Sequence, residues 1–423
     1  MSGAFDRIIG YDSVKQELEL LADTWKNPDK YRRLGGKPPH ALLLSGNPGI
    51  GKTLFSSCLI EACGLPFFTV RKTKQDDAFL AELKEVFEKA KASAPAIVFF
   101  DDLDKFSPDG EDSHRDAAEF VAVQTGMDET DGCGVYVVAT ANHPYKLPDS
   151  LMRSGRFDVK IELQLPSPRD AEKIFYHYLT GTGFVADGTD LSDFAGILSE
   201  NSCSDIAAIV NLAALYAGYE NRDKIDRFDL LRAVLRFIYG APESEPAYTP
   251  SGRAMIAYHE AGHAVVAEVQ EPGCVRLVSV EARSFSNKGD TCVEKDEEYF
   301  CRMSLQEDRV RMILGGKAAT ELVYGETDAG FRLDLFRAKR LMRRFRDEFS
   351  AYGFASAVDH ESPDGIRTDA ERVIAEKLEE YYKEAKQIIA RHRRFLDAIV
   401  DELTVKGTLL GSDIRRIREE VGD

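Results

Sequence analysis

Long apolar runs are missing from this sequence, and so is an excess of positive charge. No stretch approaches the roughly 20 apolar residues that a membrane-spanning helix needs, and Met1–Asp12 lacks the apolar core of a signal peptide. The chain has 55 Lys and Arg against 72 Asp and Glu, a formal net charge of -17. Because phosphate backbones require a basic protein face, the sequence predicts no transmembrane anchor and no nucleic-acid partner.

Cysteine is sparse and follows no pattern. The seven cysteines include no Cys-x-x-Cys pair, so they favour neither a cysteine-based zinc site nor a disulfide framework. Reduced thiols of a cytoplasmic protein explain them better. With 423 residues, 43% hydrophobic and 30% charged, the chain is expected to be globular and to contain two or three domains.

Three short apolar runs predict an α/β domain. They lie at 41–44, 96–100 and 135–139, and uninterrupted runs of this length are typical of strands buried on both faces of a parallel sheet. Residues 78–91, between the first run and the second, carry an apolar stripe at helical spacing. We therefore predict a doubly wound α/β domain over 1–166, followed by helices over 167–240.

A proline-rich linker at 241–250 precedes the C-terminal part of the chain. Thr249 and Pro250 are typical of the N-cap and first residue of a helix. Farther along, apolar residues repeat at alternating steps of four and three, which predicts a long helix packed within its own domain. These residues are Ile374, Leu378, Tyr381, Ala385 and Ile388. The sequence thus predicts a mainly helical domain over 251–423.

A phosphate-binding motif directly follows the first apolar run. It consists of Gly46, Asn47, Pro48, Gly49, Ile50, Gly51, Lys52 and Thr53. The glycines let backbone N–H groups face the phosphates at the start of a helix. Lys52 is placed to reach the β- and γ-phosphates, and the Thr53 hydroxyl to ligate Mg²⁺. The motif indicates ATP and Mg²⁺ as cofactors.

Polar residues follow the other two predicted strands. Asp101 ends the second run, where a carboxylate would hold the Mg²⁺ shell, and Asp102 comes next, where a base for the attacking water is needed. Asn142 follows the third run and is placed to bind that water or the γ-phosphate. Arg153 and Arg156 are placed to stabilise phosphoryl charge in a neighbouring subunit. A surface salt bridge is the alternative role for each arginine.

A second motif, His259-Glu260-Ala261-Gly262-His263, predicts a zinc site. Two histidines four residues apart share a helix face, so both imidazoles can bind one Zn²⁺. Glu260 is placed to deprotonate a zinc-bound water. Gly262 costs about 1 kcal/mol relative to Ala inside a helix, and its bare backbone suits close packing near the metal. Together, the two motifs predict ATP hydrolysis coupled to peptide-bond cleavage.

Taken in order, the motifs resemble those of AAA+ ATPases, and the zinc motif narrows the resemblance to the FtsH family of membrane-anchored, ATP-dependent zinc proteases. The matching segments are Phe5–Gly10, GNPGIGKT, IVFFDDLD, ATANHP, DSLMRSGRFD and HEAGHAV, and the resemblance extends from Phe5 to about Ile417. It implies a hexamer with stacked ATPase and protease rings, arginine fingers acting between subunits, and a helical lid over 167–240. It also implies that Ile9 and Gly10 contribute to the nucleotide site.

The resemblance further implies a third zinc ligand, an aspartate that the family places in a Gly-Ala-x-Asn-Asp segment. The matching residues here are Gly330–Asp334, at the start of a helix running to about Phe349. Asp334 is therefore the predicted ligand, although Leu333 replaces the asparagine. Glu321 is the rival, and its alternative role is a carboxylate on the helix surface or behind the ligands.

The sequence departs from the family at four places. Asp102 stands where the family has glutamate. The expected pore loop between Thr69 and the helix of 78–91 is shortened, and Phe79, its one aromatic, has helix packing as an alternative role. Asp128-Glu129-Thr130 replaces the Asp-Gly-Phe that signals between subunits. We also expect a member without the N-terminal membrane segments.

These features leave three functions open. The leading hypothesis is a soluble, cytoplasmic, ATP-dependent zinc endopeptidase that forms a homo-hexamer and degrades unfolded or loosely folded proteins. The first alternative is a remodelling or regulatory AAA+ ATPase whose zinc domain is mainly an assembly platform. A third is an ATP-independent peptidase with a nucleotide-locked ring. The basic stretch 337–346 is expected to be solvated or to face another subunit.

Overall fold

The computed structural model describes residues 3–72, 76–106, 118–181, 191–198, 201–239, 249–281, 290–293, 302–327, 330–353 and 364–423. The helices are α1 (Asp12–Lys26), α2 (Pro28–Arg32), α3 (Lys52–Cys63), α4 (Asp76–Ala92), α5 (Ala118–Thr130), α6 (Pro168–Gly181), α7 (Ser192–Leu198), α8 (Cys203–Tyr219), α9 (Arg227–Tyr239), α10 (Pro250–Gln270), α11 (Met303–Tyr324), α12 (Phe331–Asp347), α13 (Asp364–Arg391), α14 (Arg393–Lys406) and α15 (Gly411–Val421). The strands are β1 (Ala41–Gly46), β2 (Phe67–Val70), β3 (Ala96–Phe100), β4 (Val135–Ala141), β5 (Val159–Leu163), β6 (Val275–Ser279), β7 (Asp290–Val293) and β8 (Thr408–Leu410).

By its internal contacts the chain divides into two compact units. The first comprises Met1–Ala186 and Leu198–Lys224, and the second comprises Asp187–Ile197 and Ile225–Asp423. The boundaries at 166, 240 and 250 stay predictions, and positions 241–248 of the predicted linker lie outside the described residues. Among the described helices, none is both long enough and apolar enough to cross a membrane.

The first unit is built on a parallel five-stranded sheet in the order β2-β3-β4-β1-β5. The three predicted strands correspond to β1, β3 and β4, so the α/β architecture is confirmed. The strands β2 and β5 were not predicted. Both lie at the edges of the sheet and mix exposed with buried residues, so they lack the uninterrupted apolar run that marks the central strands.

The central strands are apolar throughout because both of their faces are covered. Leu42 and Leu44 belong to a core that includes Trp25 and Phe55. Leu43, one residue between them, belongs to the core on the opposite face, with Phe79 and Phe87. This period of two directs successive side chains of a strand alternately into the two cores.

All strands of this sheet run in the same direction, so the sheet has an amino edge, where the strands begin, and a carboxyl edge, where they end. In the β1–β5 pairing, Leu42 lies opposite Val159 and Gly46 lies opposite Leu163. The phosphate-binding motif therefore leaves the carboxyl edge, whereas residues 151–158 precede β5 at the amino edge. At about 3.3 Å per residue, the four residues from Leu42 to Gly46 span roughly 13 Å.

The second unit is mainly helical. As predicted, α10 begins with Thr249 as N-cap, whose hydroxyl accepts a hydrogen bond from the Gly252 N–H, and with Pro250 as first residue. Its core joins α10 to α11, α12, α13 and α14. The antiparallel sheet β7-β6-β8 was not predicted. On α13, the predicted seam is buried up to Ala385, but Ile389 is the next fully buried residue and Ile388 is only partly buried.

Candidate active sites

The phosphate-binding motif forms a loop between β1 and α3. Gly46 and Gly51 have positive φ angles of 138° and 96°, and a Cβ at Gly46 would lie 2.3 Å from the Leu163 carbonyl oxygen. Only glycine fits there. The free N–H groups at the start of α3 form an anion site, so the loop geometry fits a nucleotide phosphate.

Lys52 lies inside this loop. Its Nζ donates hydrogen bonds to the carbonyl oxygens of Gly46 at 2.7 Å and Asn47 at 2.8 Å. Burial lowers the pKa of Lys52, against the opposing effect of the Asp102 and Asp104 carboxylates. The ammonium is held by neutral acceptors that a phosphate can replace. Of the other loop residues, Asn47 and Pro48 are exposed, Gly49 is half-buried and Ile50 is buried.

Asp101 gathers the groups expected around Mg²⁺. The hydroxyls of Thr140 and Thr53 lie 3.0 Å and 3.4 Å from its Oδ1. Carboxylate and hydroxyl oxygens are the hard ligands that Mg²⁺ prefers. The Arg71 guanidinium approaches the other oxygen of Asp101 to 2.7 Å. Nothing in the sequence motif signals Arg71, which lies just after β2.

Asp102 and Asn142 meet at the carboxyl edge of the sheet, just after the ends of β3 and β4. The Asn142 side-chain amide donates to Asp102 Oδ1 at 3.2 Å, and Lys105 pairs with Oδ2 at 2.7 Å. The buried Asp104 accepts hydrogen bonds from the backbone N–H groups of Asn142 and His143. Sequence reasoning missed Asp104, which fixes the loop that carries Asn142.

The start of α8 packs on the phosphate-binding loop. Ser204 donates through its N–H and its hydroxyl to the Gly49 carbonyl oxygen, at 3.0 and 3.1 Å. Ser202 and Asp205 form a capping box at this helix start. The pattern Ser-x-x-Asp signals such a cap, but not the surface on which it packs. Sequence reasoning missed these serines.

Ile9 and Gly10 lie in the same unit, before α1. Ile9 is half-buried and Gly10 is buried. Gly10 has φ 72°, and a Cβ there would lie 2.6 Å from Asp170 Oδ1. The next residue, Tyr11, packs edge-on against Phe55 of α3. The segment therefore contacts the helix that follows the phosphate-binding loop.

The two predicted arginines lie in different environments. Arg156 pairs with both oxygens of Asp128, at 3.0 and 2.8 Å, and donates to the Ser150 carbonyl oxygen. Hydrogen bonding to Arg156 lowers the pKa of Asp128. Arg153 is exposed and, among the described residues, has no ion-pair partner. Asp158 ties their loop to the amino edge by accepting from the N–H groups of Gly155 and His40.

The zinc motif lies on α10, and its two histidines meet Asp334 at the start of α12. His259 Nε2 lies 3.1 Å from Asp334 Oδ2 and 3.1 Å from His263 Nε2, and the remaining pair is 3.6 Å apart. Ligand bonds of about 2.0–2.1 Å to a tetrahedral zinc imply donor separations of roughly 3.3 Å. The three atoms thus fit three corners of a zinc tetrahedron.

Their surroundings also suit a metal site. All three side chains are at least 90% buried. His263 Nδ1 lies 2.8 Å from the Met312 carbonyl oxygen, so it donates there and leaves Nε2 with a free lone pair. Burial raises the pKa of Asp334, but hydrogen bonds with His259 and His263 outweigh it and hold that pKa well below its usual range.

Glycines make the room for this cluster. Gly262 of α10 and Gly315 of α11 are in backbone contact, since a Cβ on either would lie 2.5 Å from the other's carbonyl oxygen. A Cβ at Gly316 would lie 2.6 Å from His263 Nε2 and 2.7 Å from His259 Nε2. The close approach expected of Gly262 is therefore present. Sequence reasoning missed Gly316, which leaves open the space that the ligand atoms face.

Glu260 lies beside the two histidines and is buried. The Thr291 hydroxyl lies 2.9 Å from its Oε2 and 3.0 Å from its carbonyl oxygen. Thr291 is on β7, which was not predicted, and no sequence motif marks this partner. The contact orients the carboxylate that the motif assigns as general base.

Glu321 is engaged elsewhere. Lys317 and Lys386 lie 2.6 and 2.8 Å from its two oxygens, and Tyr382 donates a short hydrogen bond. These hydrogen bonds lower the pKa of Glu321 to about 2. Within the described residues, the one group of His, Cys, Asp and Glu close enough to share a metal ion is His259, His263 and Asp334. The geometry favours Asp334 over Glu321.

Comparisons with known proteins match both sites. The ATPase family associated with various cellular activities (AAA) matches residues 42–165, and Peptidase family M41 matches residues 247–417. The chain is 32% identical to ATP-dependent zinc metalloprotease FtsH 1 of Methylacidiphilum infernorum, over 99% of this chain and 70% of that relative.

Two further relatives agree. Identity is 32% to ATP-dependent zinc metalloprotease FtsH 2 of Symbiobacterium thermophilum, over 98% of this chain and 74% of that protein. It is 30% to ATP-dependent zinc metalloprotease FtsH of Thermotoga maritima, over 98% and 73%. With both site geometries and both family matches in place, the chain belongs to the FtsH family of ATP-dependent zinc metalloproteases.

Proposed function

We propose that this chain is an ATP-dependent zinc endopeptidase. The observation that carries the proposal is the buried cluster of His259, His263 and Asp334 beside Glu260, on a chain that also has a complete phosphate-binding loop. A domain that served only as an assembly platform would not need three ligand atoms at tetrahedral spacing. The cluster thus supports the peptidase over the remodelling ATPase.

In the peptidase site, His259, His263 and Asp334 would hold the zinc. A bound zinc supplies Lewis-acid chemistry that lowers the pKa of a coordinated water to about 7. Glu260 would take the proton of the attacking water and return it to the leaving amine. Thr291 would keep the Glu260 carboxylate turned toward the reacting atoms, and Gly316 would keep that space clear.

In the ATPase site, Lys52 would bind the phosphates, and Thr53 and Asp101 would hold Mg²⁺. Asp102 and Asn142 would position the attacking water. Arg153 and Arg156 belong to a loop at the amino edge of the sheet, roughly 13 Å along β1 from the chain's own phosphate loop. That separation supports action on a neighbouring subunit, in a homo-oligomeric ring that we propose to be a hexamer.

We propose unfolded or loosely folded proteins as substrates. Phe79, the one aromatic of the shortened pore segment, is fully buried and packs edge-on against Phe106, so it is not free to grip a polypeptide. Positions 73–75 of that segment lie outside the described residues. Folded domains resist unfolding by about 5–15 kcal/mol, a load that demands a firm grip.

We propose a cytoplasmic location, with no role for nucleic acid. Five cysteines of the described residues are free thiols, at 58, 63, 133, 203 and 274. Free thiols suit a reducing compartment. The net charge of -17 disfavours binding to phosphate backbones.

Casein cleavage tests the proposal. The chain should degrade casein with ATP and Mg²⁺, degrade it slowly without ATP, and lose activity when a chelator removes zinc. A fusion of a casein-like tail to a stable fluorescent protein should lose the tail and keep its fluorescence. ATP hydrolysis without any zinc-dependent cleavage would instead favour the remodelling ATPase, and rapid ATP-driven loss of fluorescence would contradict the substrate class.

A further inference from the structure

The helix that supplies Asp334 has a second, exposed face of unusual composition. One side of α12 is buried and consists of Asp334, Ala338, Met342 and Phe345. The opposite side is exposed, and we call it the basic strip: Arg332, Leu333, Phe336, Lys339 and Arg340. Steps of three and four residues put these side chains on adjoining positions of the helix surface.

The strip is charged and apolar at once. Helix α12 carries seven basic and two acidic side chains, within a chain whose net charge is -17. Arg343 and Arg344 pair with Glu371 and Glu348. Among the described residues, Arg332, Lys339 and Arg340 have no ion-pair partner. Beside these three cations, Phe336 is 63% exposed and Leu333 is 46% exposed.

The strip and one of the zinc ligands lie on the same helix. Leu333 of the strip precedes Asp334 directly in the chain, and Phe336 follows it by two residues. The strip lies on the side of α12 opposite Asp334, and a helix with its side chains is about 10–12 Å in diameter. An extended peptide covers that distance in about four residues. A polypeptide held at the zinc site therefore has its next few residues within reach of the strip.

We infer that the basic strip docks acidic, partly apolar segments of substrate polypeptides beside the bond to be cut. The inference rests on the proposed peptidase function and adds a substrate class to it. Carboxylates of the substrate complement the three cations of the strip, and apolar side chains between them can cover Phe336 and Leu333. Nucleic acid would meet the same cations but would leave the two apolar residues unmatched.

Peptide binding and cleavage test the inference. One fluorescent peptide carries a short run of glutamates within about four residues of the cleavable bond, and matched peptides carry lysines or glutamines instead. Binding is measured by anisotropy on the Glu260→Gln chain, and cleavage on the parent chain. Exposed ion pairs each contribute a factor of roughly 1.4 to 5, so three should favour the glutamate peptide over the lysine peptide about tenfold. High salt should reduce the preference.

A charge-reversed strip supplies the decisive variant. Arg332→Glu, Lys339→Glu and Arg340→Glu together should reverse the preference between the two peptides. The matched control makes the same charge change at three exposed sites of α13 and α14 in the same unit, with Lys383→Glu, Arg391→Glu and Arg394→Glu. This control should keep the parent's preference, and thermal unfolding shows that both triple variants are folded.

The outcomes separate the strip from the peptidase itself. Cleavage of no peptide by the zinc-loaded parent would contradict the proposed function. Cleavage of all peptides with equal Kd values would overturn the strip alone, and so would the same reversal in the control triple. If the strip variant instead changes oligomeric mass and slows all peptides alike, the strip is an interface between copies. Tighter binding of a single-stranded oligonucleotide than of the glutamate peptide would likewise overturn the inference.

Discussion

The two catalytic centres differ in how complete they are within one chain. At the zinc site, three ligand atoms lie within 3.6 Å of one another and are buried. At the nucleotide site, the charged groups have partners that catalysis must replace. Lys52 binds two loop carbonyls, Asp101 pairs with Arg71, and Asp102 pairs with Lys105.

The difference follows from what holds each centre in place. Helix packing positions the zinc ligands, with α10 and α11 in contact at Gly262 and Gly315. The nucleotide groups lie at the ends of strands and in loops, where a bound nucleotide and, in the proposed ring, a neighbouring subunit can rearrange them. We therefore expect zinc-site changes to act in every assembly state, and nucleotide-site changes to depend on the ring.

Replacing the general base should have the largest effect. Glu260→Gln keeps the shape and the Thr291 contact but cannot accept a proton, so peptide cleavage should fall by about 10²–10⁴. Zinc content should stay at the parent's level. Cleavage of a fluorogenic peptide and metal analysis measure the two quantities.

Glu271→Gln is the matched control, because Glu271 is an exposed carboxylate at the end of the same helix. It should cleave at the parent's rate. A fully active Glu260→Gln chain would remove Glu260 from the mechanism.

Removing a ligand comes next. Asp334→Ala deletes one of the three donor atoms and should lower zinc affinity by more than the 10–100-fold typical of residues behind the ligands. The contacts of Glu321 are with two lysines and Tyr382 and not with the ligand atoms. The Glu321→Ala variant should therefore retain zinc. Chelator competition gives both affinities. A larger loss of zinc affinity in Glu321→Ala than in Asp334→Ala would assign Glu321 as the ligand and would contradict a zinc centre prebuilt from the three observed atoms.

At the nucleotide site, variants of Asp102 test whether this aspartate, which stands where the family has glutamate, limits ATP hydrolysis. Asp102→Asn should nearly stop steady-state ATP hydrolysis, because the amide cannot accept the proton of the attacking water. Asp102→Glu should raise the rate if the reach of the carboxylate limits it. Both rates are measured on the assembled ring, with nucleotide binding as the control. An Asn variant as fast as the parent would mean that another group positions the water.

Gly316→Ala should give a smaller loss, of about tenfold in zinc affinity. Its Cβ would approach both ligand nitrogens to within 2.7 Å, so one histidine has to shift, and a misplaced donor weakens the site. Gly218→Ala, in a helix with nothing within 4 Å of the added carbon, is the control. Equal zinc affinity in both variants would show that the cluster tolerates movement.

What the sequence predicted well depends on local patterns. Thr249 and Pro250 marked the start of α10, and the spacing of His259 and His263 put both on one helix face. On α13, the alternating pattern placed Ile388 on the seam, but Ile389 is the buried residue. A helix has 3.6 residues per turn, so a strict 3.5 repeat drifts over several turns.

The rest of the candidate sites depends on distant contacts. Asp334 lies 75 residues from His259, and only the family resemblance indicated it. Thr291 and Arg71 have no motif of their own, since each acts through one contact made by the tertiary fold. In the sequence, Gly316 does not differ from other helix glycines, because its role depends on the two histidines of another helix that lie next to it in the fold.

Action between subunits should distinguish the two centres most clearly. Chains with Lys52→Ala lack a working phosphate loop, and chains with Arg153→Ala or Arg156→Ala lack one arginine. A ring assembled from only one of these three variants should have little ATPase activity. In a ring assembled at random from equal amounts, roughly a quarter of the interfaces pair an intact loop with intact arginines, so mixing should restore up to that share of the parent's rate.

Arg153 and Arg156 are tested in separate mixtures because their contacts in the structure differ. Arg153 is exposed and can reach outward as it stands, whereas Arg156 must first leave Asp128. Recovery with the Arg153→Ala chain alone would make Arg156 a positioning residue of its own subunit. A parallel mixture of Glu260→Gln and Asp334→Ala chains should recover no peptide cleavage, because all the zinc-site groups come from one chain. Recovery there, or none with either arginine variant in rings shown to contain both chains, would contradict the contrast between a prebuilt and a shared centre.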